Sequence, residues 1–403
     1  MAEEPLPFEG LKVLDVSSFV AGPAAATILG DFGADVIKVE APEGGDPFRN
    51  FHTSHGVPQH PVNFCWELTS RNKRSIAIDL KSEAGHAVFA RLVQAADILV
   101  TNFPPPVRTR LRLTYADMAP LNDRLIYASL TGYGETGPDV DQPGYDATAY
   151  FARSGLLDAM TYEGASPAFS VPGMGDHPTA TALFAAIMVA LWRRERTGKG
   201  AEVGTSLLAN GWWANGIIGQ AALLDAFLAH RPPRSRPRSA LVNQYLTRDG
   251  RWISLAMARE EKLWPLFARA IGRPELIDDP RFTDTPARRA HGAELAAILD
   301  PIFASRSLAE WEALLKAAGI TYGIINRLED AGRDKQAVAA GAIRDTARPA
   351  MPRTIANPLR FDFADQRQAA PAPKLGEHTD AILREIGASP AEIAALRAAG
   401  AVA

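Results

Sequence analysis

One short stretch gathers residues that could do chemistry. In VPGMGDHPTATALFAAIMVALWRRERTGKG, residues 171–200, a single acid, Asp176, stands between a glycine-and-proline turn and a long apolar run. Pro178 suits a first helical turn, Gly198 suits a helix stop, and Arg193, Arg194 and Arg196 fall in the closing turns. Asp176 then reads in two ways. It caps the helix as N-cap residue and does nothing more. Or it is a nucleophile: the helix end keeps the carboxylate ionised at neutral pH, and free N–H donors there stabilise an oxyanion. Gly173 and Gly175 would let a substrate approach the backbone. A second stretch, TGYGETGPDVDQPGYDATAYFARSGLL (131–157), supplies Tyr145 and Asp146 just after a strand. The plain alternatives are a half-buried aromatic and a cap on the next helix.

The elements that must position these groups alternate. LKVLDV (11–16), VIKVE (36–40), SIAIDL (75–80), DILVTNF (97–103) and LIYASLTGYG (125–134) read as strands. AAATILGDF and SEAGHAVFARLVQAA read as helices between them, and apolar strands separated by helices predict a parallel α/β sheet. The segment Ala180 to Trp192 reads as a buried helix, too short for the roughly 20 residues a bilayer needs. Later, AHRPPRSRPRSA (229–240), with four arginines and three prolines, suggests an exposed linker. YLTRDGRWISLAM predicts a hairpin turning at Asp249-Gly250. Helices are expected around 262–271, 292–303 and 308–318, and the tail shows little periodicity until DAILREIGA. A large domain over 1–224, a smaller α+β domain over 225–325, and a return to the large domain over 326–403 are expected.

At 403 residues the chain exceeds one ordinary core. A net charge of -3 offers no general attraction for nucleic acid or anionic membrane. One cysteine, Cys65, excludes an internal disulfide and a cysteine-built metal site. The acidic start MAEEPLPFEG is no signal peptide, so a cytoplasmic protein is expected. The histidines, His52, His55 and His60 among them, show no zinc-hydrolase spacing, and no metal is expected. SSFVAGP is not G-x-G-x-x-G, which disfavours a nicotinamide-dependent oxidoreductase although Glu40 ends the second strand.

The chain resembles the class III CoA transferases of CaiB/BaiF type, which include formyl-CoA transferase, carnitine CoA-transferase and the α-methylacyl-CoA racemases. The resemblance runs through LKVLDVSSFVAGPAAATILGDFGADVIKVEAPEGGDPFR, SRNKRSIAIDLKSEAG, DILVTNFPPPV, LIYASLTGYGETGP, PGYDATAYFARSGLL, PGMGDHPTATALFAAIMVALWRRERTGKG and LGEHTD. It implies a Rossmann-like open parallel sheet in the large domain and an interlocked homodimer. It implies Asp176 as the catalytic aspartate, forming an aspartyl–acyl anhydride and then an aspartyl-CoA thioester, with an acyl-CoA and a carboxylic acid as substrates and no permanently bound cofactor. Tyr145 and Asp146 match a tyrosine–acid pair of the transferase branch. The racemases place a histidine where Tyr145 stands, so transfer is favoured over racemisation; tyrosine is a poor base at neutral pH. Positions matching CoA contacts are Phe19, Val20, Ile78, Lys81, Asn102, Phe103, Arg110 and Leu111. Lys81 and Arg110 are candidates for phosphate. Arg71, Lys73 and Arg74 form a basic cluster in which Arg74 is a further candidate, a solvated turn being the plain alternative. Departures are Ala41 where some relatives have an arginine, Val20 where formyl-CoA transferase has a glutamine, and no glycine-rich flap between Ala240 and Gly272. They point away from oxalate, towards a larger or more apolar acid.

Overall fold

The computed structural model describes residues 5–403. Six strands form one sheet: β1 (Lys12–Val16), β2 (Asp35–Glu40), β3 (Lys73–Ala77), β4 (Ile98–Thr101), β5 (Ile126–Thr131) and β6 (Ala201–Ser206). Their order is β3-β2-β1-β4-β5-β6, every neighbouring pair parallel. The order reverses between β1 and β4, and in such sheets the crevice at the carboxyl ends of those strands is where ligands bind.

Strands covered on both faces must be apolar throughout, and β4 and β5 are buried along their whole length. One face packs the helices Ala21–Asp31 and Asp176–Thr197 through Ala25, Leu29, Leu183 and Ile187. The other packs the helix Glu83–Gln94 and the C-terminal helices Thr379–Glu385 and Pro390–Ala398 through Phe89, Leu92, Ile382 and Ile393. The helix Asp176–Thr197 is not buried all round, as its composition suggests. Val189 and Trp192 are exposed, because the sheet covers only one side of it.

β3 begins two residues before the expected SIAIDL and ends sooner. Ile78 N–H still donates to the Glu40 carbonyl at 2.8 Å, but on its other side Ile78 bridges Val402, and Asp79 N–H donates to the Ala401 carbonyl at 2.9 Å. The strand β6 has no counterpart among the expected elements. It is an edge strand of small and polar residues, AEVGTS, whose alternation carries almost no hydrophobic signal.

The chain divides into two compact units, one running to Asp158 with Ala168–Phe227 and Gln336–Ala403, the other Ala159–Pro167 with Leu228–Lys335. The second unit holds an antiparallel sheet of β7 (Gln244–Leu246), β8 (Trp252–Leu255) and β9 (Tyr322–Ile325). The expected turn falls at Asp249-Gly250, where Gly250 takes φ 71°. Helices Glu260–Ala270, Gly292–Phe303 and Leu308–Ala317 enclose Trp264, Phe267, Phe303 and Trp311. The arginine-rich stretch is not a free linker. Arg234 grips Asp300 with two bonds of 2.8 and 2.9 Å, and Arg238 donates to the carbonyls of Ala229 and His230.

The tail returns to the first unit through a buried node. Asp31 accepts from Arg71 Nε (3.0 Å) and Nη2 (2.7 Å), from Asn72 Nδ2 (2.8 Å) and from Asn357 Nδ2 (2.9 Å). Breaking a buried pair by removing one partner costs about 3–5 kcal/mol. Asp31→Ala should therefore lower the urea midpoint clearly. An unchanged midpoint would mean that the tail is held by other contacts.

Candidate active site

The turn before the helix Asp176–Thr197 is shaped by a close approach. A Cβ on Gly175 would lie 2.7 Å from Tyr150 Cγ and 3.0 Å from Asp146 Cβ, so no side chain fits there. Gly175 N–H donates to Asp146 Oδ2 at 3.2 Å, while Asp146 Oδ1 accepts from Ala147 N–H at 2.8 Å. Asp146 opens the short π-helical segment Asp146–Ala152 and is itself buried. This segment and the glycine turn are thus clamped together, and Asp176 follows directly.

Two expectations for Asp176 need correction. The N-cap position belongs to Gly175, already in helical conformation, and the Asp176 side chain caps nothing. The turn also spends donors expected to be free: His177 N–H bonds the Gly173 carbonyl, Thr179 N–H bonds the Gly175 carbonyl, and Pro178 has no N–H. Nor is the carboxylate held ionised. Burial, and then the Asp146 carboxylate beside it, push Asp176 up to about 7. Desolvation outweighs the helix end here. The neighbouring His177, though exposed at its surface, is held below the ordinary histidine range, first by the desolvation of its ring and then by Arg71.

Around this acid the structure gathers several expected residues. Phe19 follows β1 with φ 61°, the left-handed region that a bulky residue seldom adopts. Its ring meets Tyr145 edge-on, centroids 6.0 Å apart. Tyr145 is 60% exposed. A Cβ on Gly173 would sit 3.8 Å from Val20 Cγ1, so Val20 lies beside the glycine turn. Asn102 brackets the same loop, accepting from Ser18 N–H at 2.8 Å and donating to the Ser18 carbonyl at 2.7 Å.

A second group lies at the carboxyl ends of β1 to β4. Ile78, Lys81, Phe103 and Leu111 line one cleft of about 580 Å³, with Ser17, Ser18, Ala41 and Asp46. This is the expected place and size for a small-molecule site. Arg110 ends the helix Pro105–Arg110 next to Leu111 and is exposed, without lining the cleft.

Arg74 is not brought to either group. It sits near the start of β3, away from the carboxyl end, and pairs with Asp35 at 2.5 Å and Glu385 at 2.7 Å. Its two neighbours are spent as well, Arg71 on Asp31 and Lys73 on Asp15. The basic cluster is therefore neither a solvated turn nor a free phosphate patch. An ion network that sequence reasoning missed lies beneath the cleft: Asp15, Lys38, Asp46, Glu40 and Arg49. Its signal was present, a lysine in the middle of VIKVE and an aspartate near the end of LKVLDV, where buried strands otherwise carry apolar residues. Among the described residues, no three potential metal ligands come together.

The first unit is an open parallel α/β sheet with an acid-bearing glycine turn next to the loop that follows β1. The family model of CoA-transferase family III matches residues 8–379, and the chain belongs to that family. It is 34% identical to the (R)-2-hydroxy-4-methylpentanoate CoA-transferase of Clostridioides difficile, over 94% of this chain and 95% of that one. It is 32% identical to the cinnamoyl-CoA:phenyllactate CoA-transferase of Clostridium sporogenes, over 96% and 95%. A crystal structure of a CaiB/BaiF family protein from Brucella suis superposes with a TM-score of 0.84 at 30% identity, covering 95% of this chain and all of that one. The protein is an enzyme of the CoA-transferase type.

The clamp makes a direct prediction. With carbon-13-labelled aspartate, the Asp176 carboxyl should titrate near 7. In Asp146→Asn, which removes the neighbouring charge and keeps an oxygen for Gly175, the midpoint should fall yet stay above that of an exposed aspartate. A midpoint unmoved by Asp146→Asn would leave burial as the sole cause.

Proposed function

We propose that the protein moves CoA from an acyl-CoA thioester to a carboxylic acid, with Asp176 as nucleophile. The observation that carries this is the Asp176 carboxyl itself, which directly follows a glycine that no larger residue can replace and is raised to about 7. A carboxylate poorly stabilised by its surroundings is the more ready nucleophile once deprotonated.

The ionised carboxylate attacks the thioester carbonyl, and the C–S bond breaks to release CoA thiolate. The product is an Asp176–acyl anhydride. The thiolate attacks the aspartyl carbonyl, frees the first acid and leaves an aspartyl-CoA thioester. The incoming carboxylate attacks that thioester, thiolate leaves, and its return to the substrate carbonyl forms the new acyl-CoA and restores Asp176. Every intermediate keeps an activated acyl group, so no other energy source enters. Tyr145 donates a hydrogen bond to a thioester or anhydride oxygen, and Asp146 anchors the glycine turn and tunes Asp176. The cleft of Ile78, Lys81, Phe103 and Leu111 takes CoA, with Asn102, Phe19 and Val20 on the path to Asp176 and Arg110 at the rim for a phosphate.

The acid is read as apolar. Phe19 and Val20 pack on the cluster of Phe48 and Trp66, with Phe51, Val57 and Phe64 beside them, an apolar wall next to the glycine turn. The two bacterial relatives named above carry branched or aromatic acids in their names. A cytoplasmic homodimer completes the reading: Trp213 and Ile217, on the helices Leu207–Ala214 and Gly216–Ala222, are 87% and 88% exposed, a surface a second copy would cover. Interlocking of the two chains, implied by the resemblance, belongs to the same proposal.

The test is a panel of acyl-CoA donors and acids, from oxalate to branched and aromatic acids, followed by digestion and mass spectrometry. Transfer should favour apolar acids, with an acyl or CoA adduct on the Asp176 peptide and none in Asp176→Ala, which should lose transfer. An adduct on another residue would overturn the assignment. The pH dependence has a definite sign. The reactive form is the carboxylate, so kcat/KM should fall as pH drops through about 7, and Asp146→Asn should carry that limb to lower pH.

A further inference from the structure

Three strands of the sheet bury charged residues under the loop that carries Phe19. Asp15 on β1 and Lys38 on β2 are register partners, and Lys73 on β3 reaches the same point. Lys73 Nζ meets Asp15 Oδ2 at 2.8 Å and also donates to the carbonyls of Pro23 and Thr69. Lys38 Nζ pairs with Asp46 Oδ2 at 2.9 Å and donates to the Ser17 carbonyl. Glu40 is held by Arg49 at 2.7 Å and by Ser75, and accepts from Asp46 N–H. Three carboxylates and three cations thus balance inside the domain. Such buried pairs seldom add stability over an apolar core of the same shape, so their purpose is sought in what they hold.

What they hold is the loop between the cleft and Asp176. The second Asp46 oxygen accepts from Phe19 N–H at 3.1 Å and from Phe48 N–H at 2.9 Å. Phe19 is the residue in the left-handed region, and its ring stands between Phe48 (centroids 6.5 Å apart) and Tyr145. A bulky residue keeps such a backbone only where its surroundings impose it. We infer that Asp46, itself held by Lys38, is a positioning residue for the transfer reaction: it fixes the Phe19 backbone so that the ring stands against Tyr145 beside the glycine turn. The inference rests on the transfer reading proposed above. Asp46 acts through Phe19 and does not itself meet the reacting atoms.

The test uses the full chain and the best donor–acceptor pair of the panel, with kcat expressed per folded molecule. Asp46→Ala should lower kcat about tenfold or more, the scale of a misplaced site. Asp46→Asn, whose amide oxygen can still accept from Phe19 N–H, should recover most of it. Phe19→Gly should lose kcat similarly, and the double variant Asp46→Ala with Phe19→Gly should be no worse than either single one, because both act through one loop. If Asp46→Ala does not fold, Lys38→Met with Asp46→Leu removes both charges together and should show the same loss. Wild-type kcat in the folded variants, or losses that multiply in the double variant, would overturn the role of Asp46 and leave Asp176 untouched. A wild type inactive with every pair would remove both readings.

Discussion

Charge balance inside the sheet is the constraint on which the rest of the first unit depends. A parallel sheet covered on both faces has no water to spare, yet β1 and β2 each place a charged residue in full burial, Asp15 and Lys38, and β3 adds Lys73. Burial alone would raise Asp15, but Lys38 and Lys73 together hold it below the usual range. Burial likewise would lower Lys38, and Asp15, Asp46 and Glu40 more than reverse that. Lys73, with less to offset its burial, is pushed down to about 8. In the observed register Asp15 stands opposite Lys38, which closes one of these pairs. That same register carries the loops after β1 and β2 to the places they occupy.

The acid at the glycine turn illustrates which of two opposed effects wins. A helix N-terminus favours an anion by about 0.3–1 kcal/mol when exposed and about 2 at best. Moving a carboxyl from 3.8 to about 7 corresponds to about 4 kcal/mol against the charged form. Burial and the second carboxylate therefore dominate, the more so because the first-turn N–H groups of His177 and Thr179 are already bonded to backbone. The turn is closed by backbone bonds and by Asp146, and its geometry does little to stabilise a charge on Asp176. A carboxyl in such surroundings takes up a proton far more readily than an exposed one.

Glycine at 175 and phenylalanine at 19 are opposite solutions to one problem. The first removes a side chain so that Tyr150 and Asp146 can close on the backbone. The second accepts an unfavourable backbone so that a ring can be placed between Phe48 and Tyr145. Both features lie in loops that the sheet positions and that local preference would not form unaided.

The sequence by itself determined the parallel α/β class, five of the six strands, the long helix and its acid, and the set of loops from which the cleft is lined, because these follow from hydrophobic runs and from motifs in a particular order. Ile78 and Lys81 follow β3 while Phe103 and Leu111 follow β4, and the two segments meet in one cleft because the carboxyl ends of parallel strands lie on one side of the sheet. Only the tertiary structure decided how each charge is used. Arg74 reads as a phosphate ligand and is consumed by Asp35 and Glu385; the arginine-rich stretch reads as a linker, and Arg234 is fastened to Asp300. The ionisation of Asp176 was decided there too. Periodicity reports which residues avoid water, but partners and desolvation depend on distances between segments that the linear order does not contain.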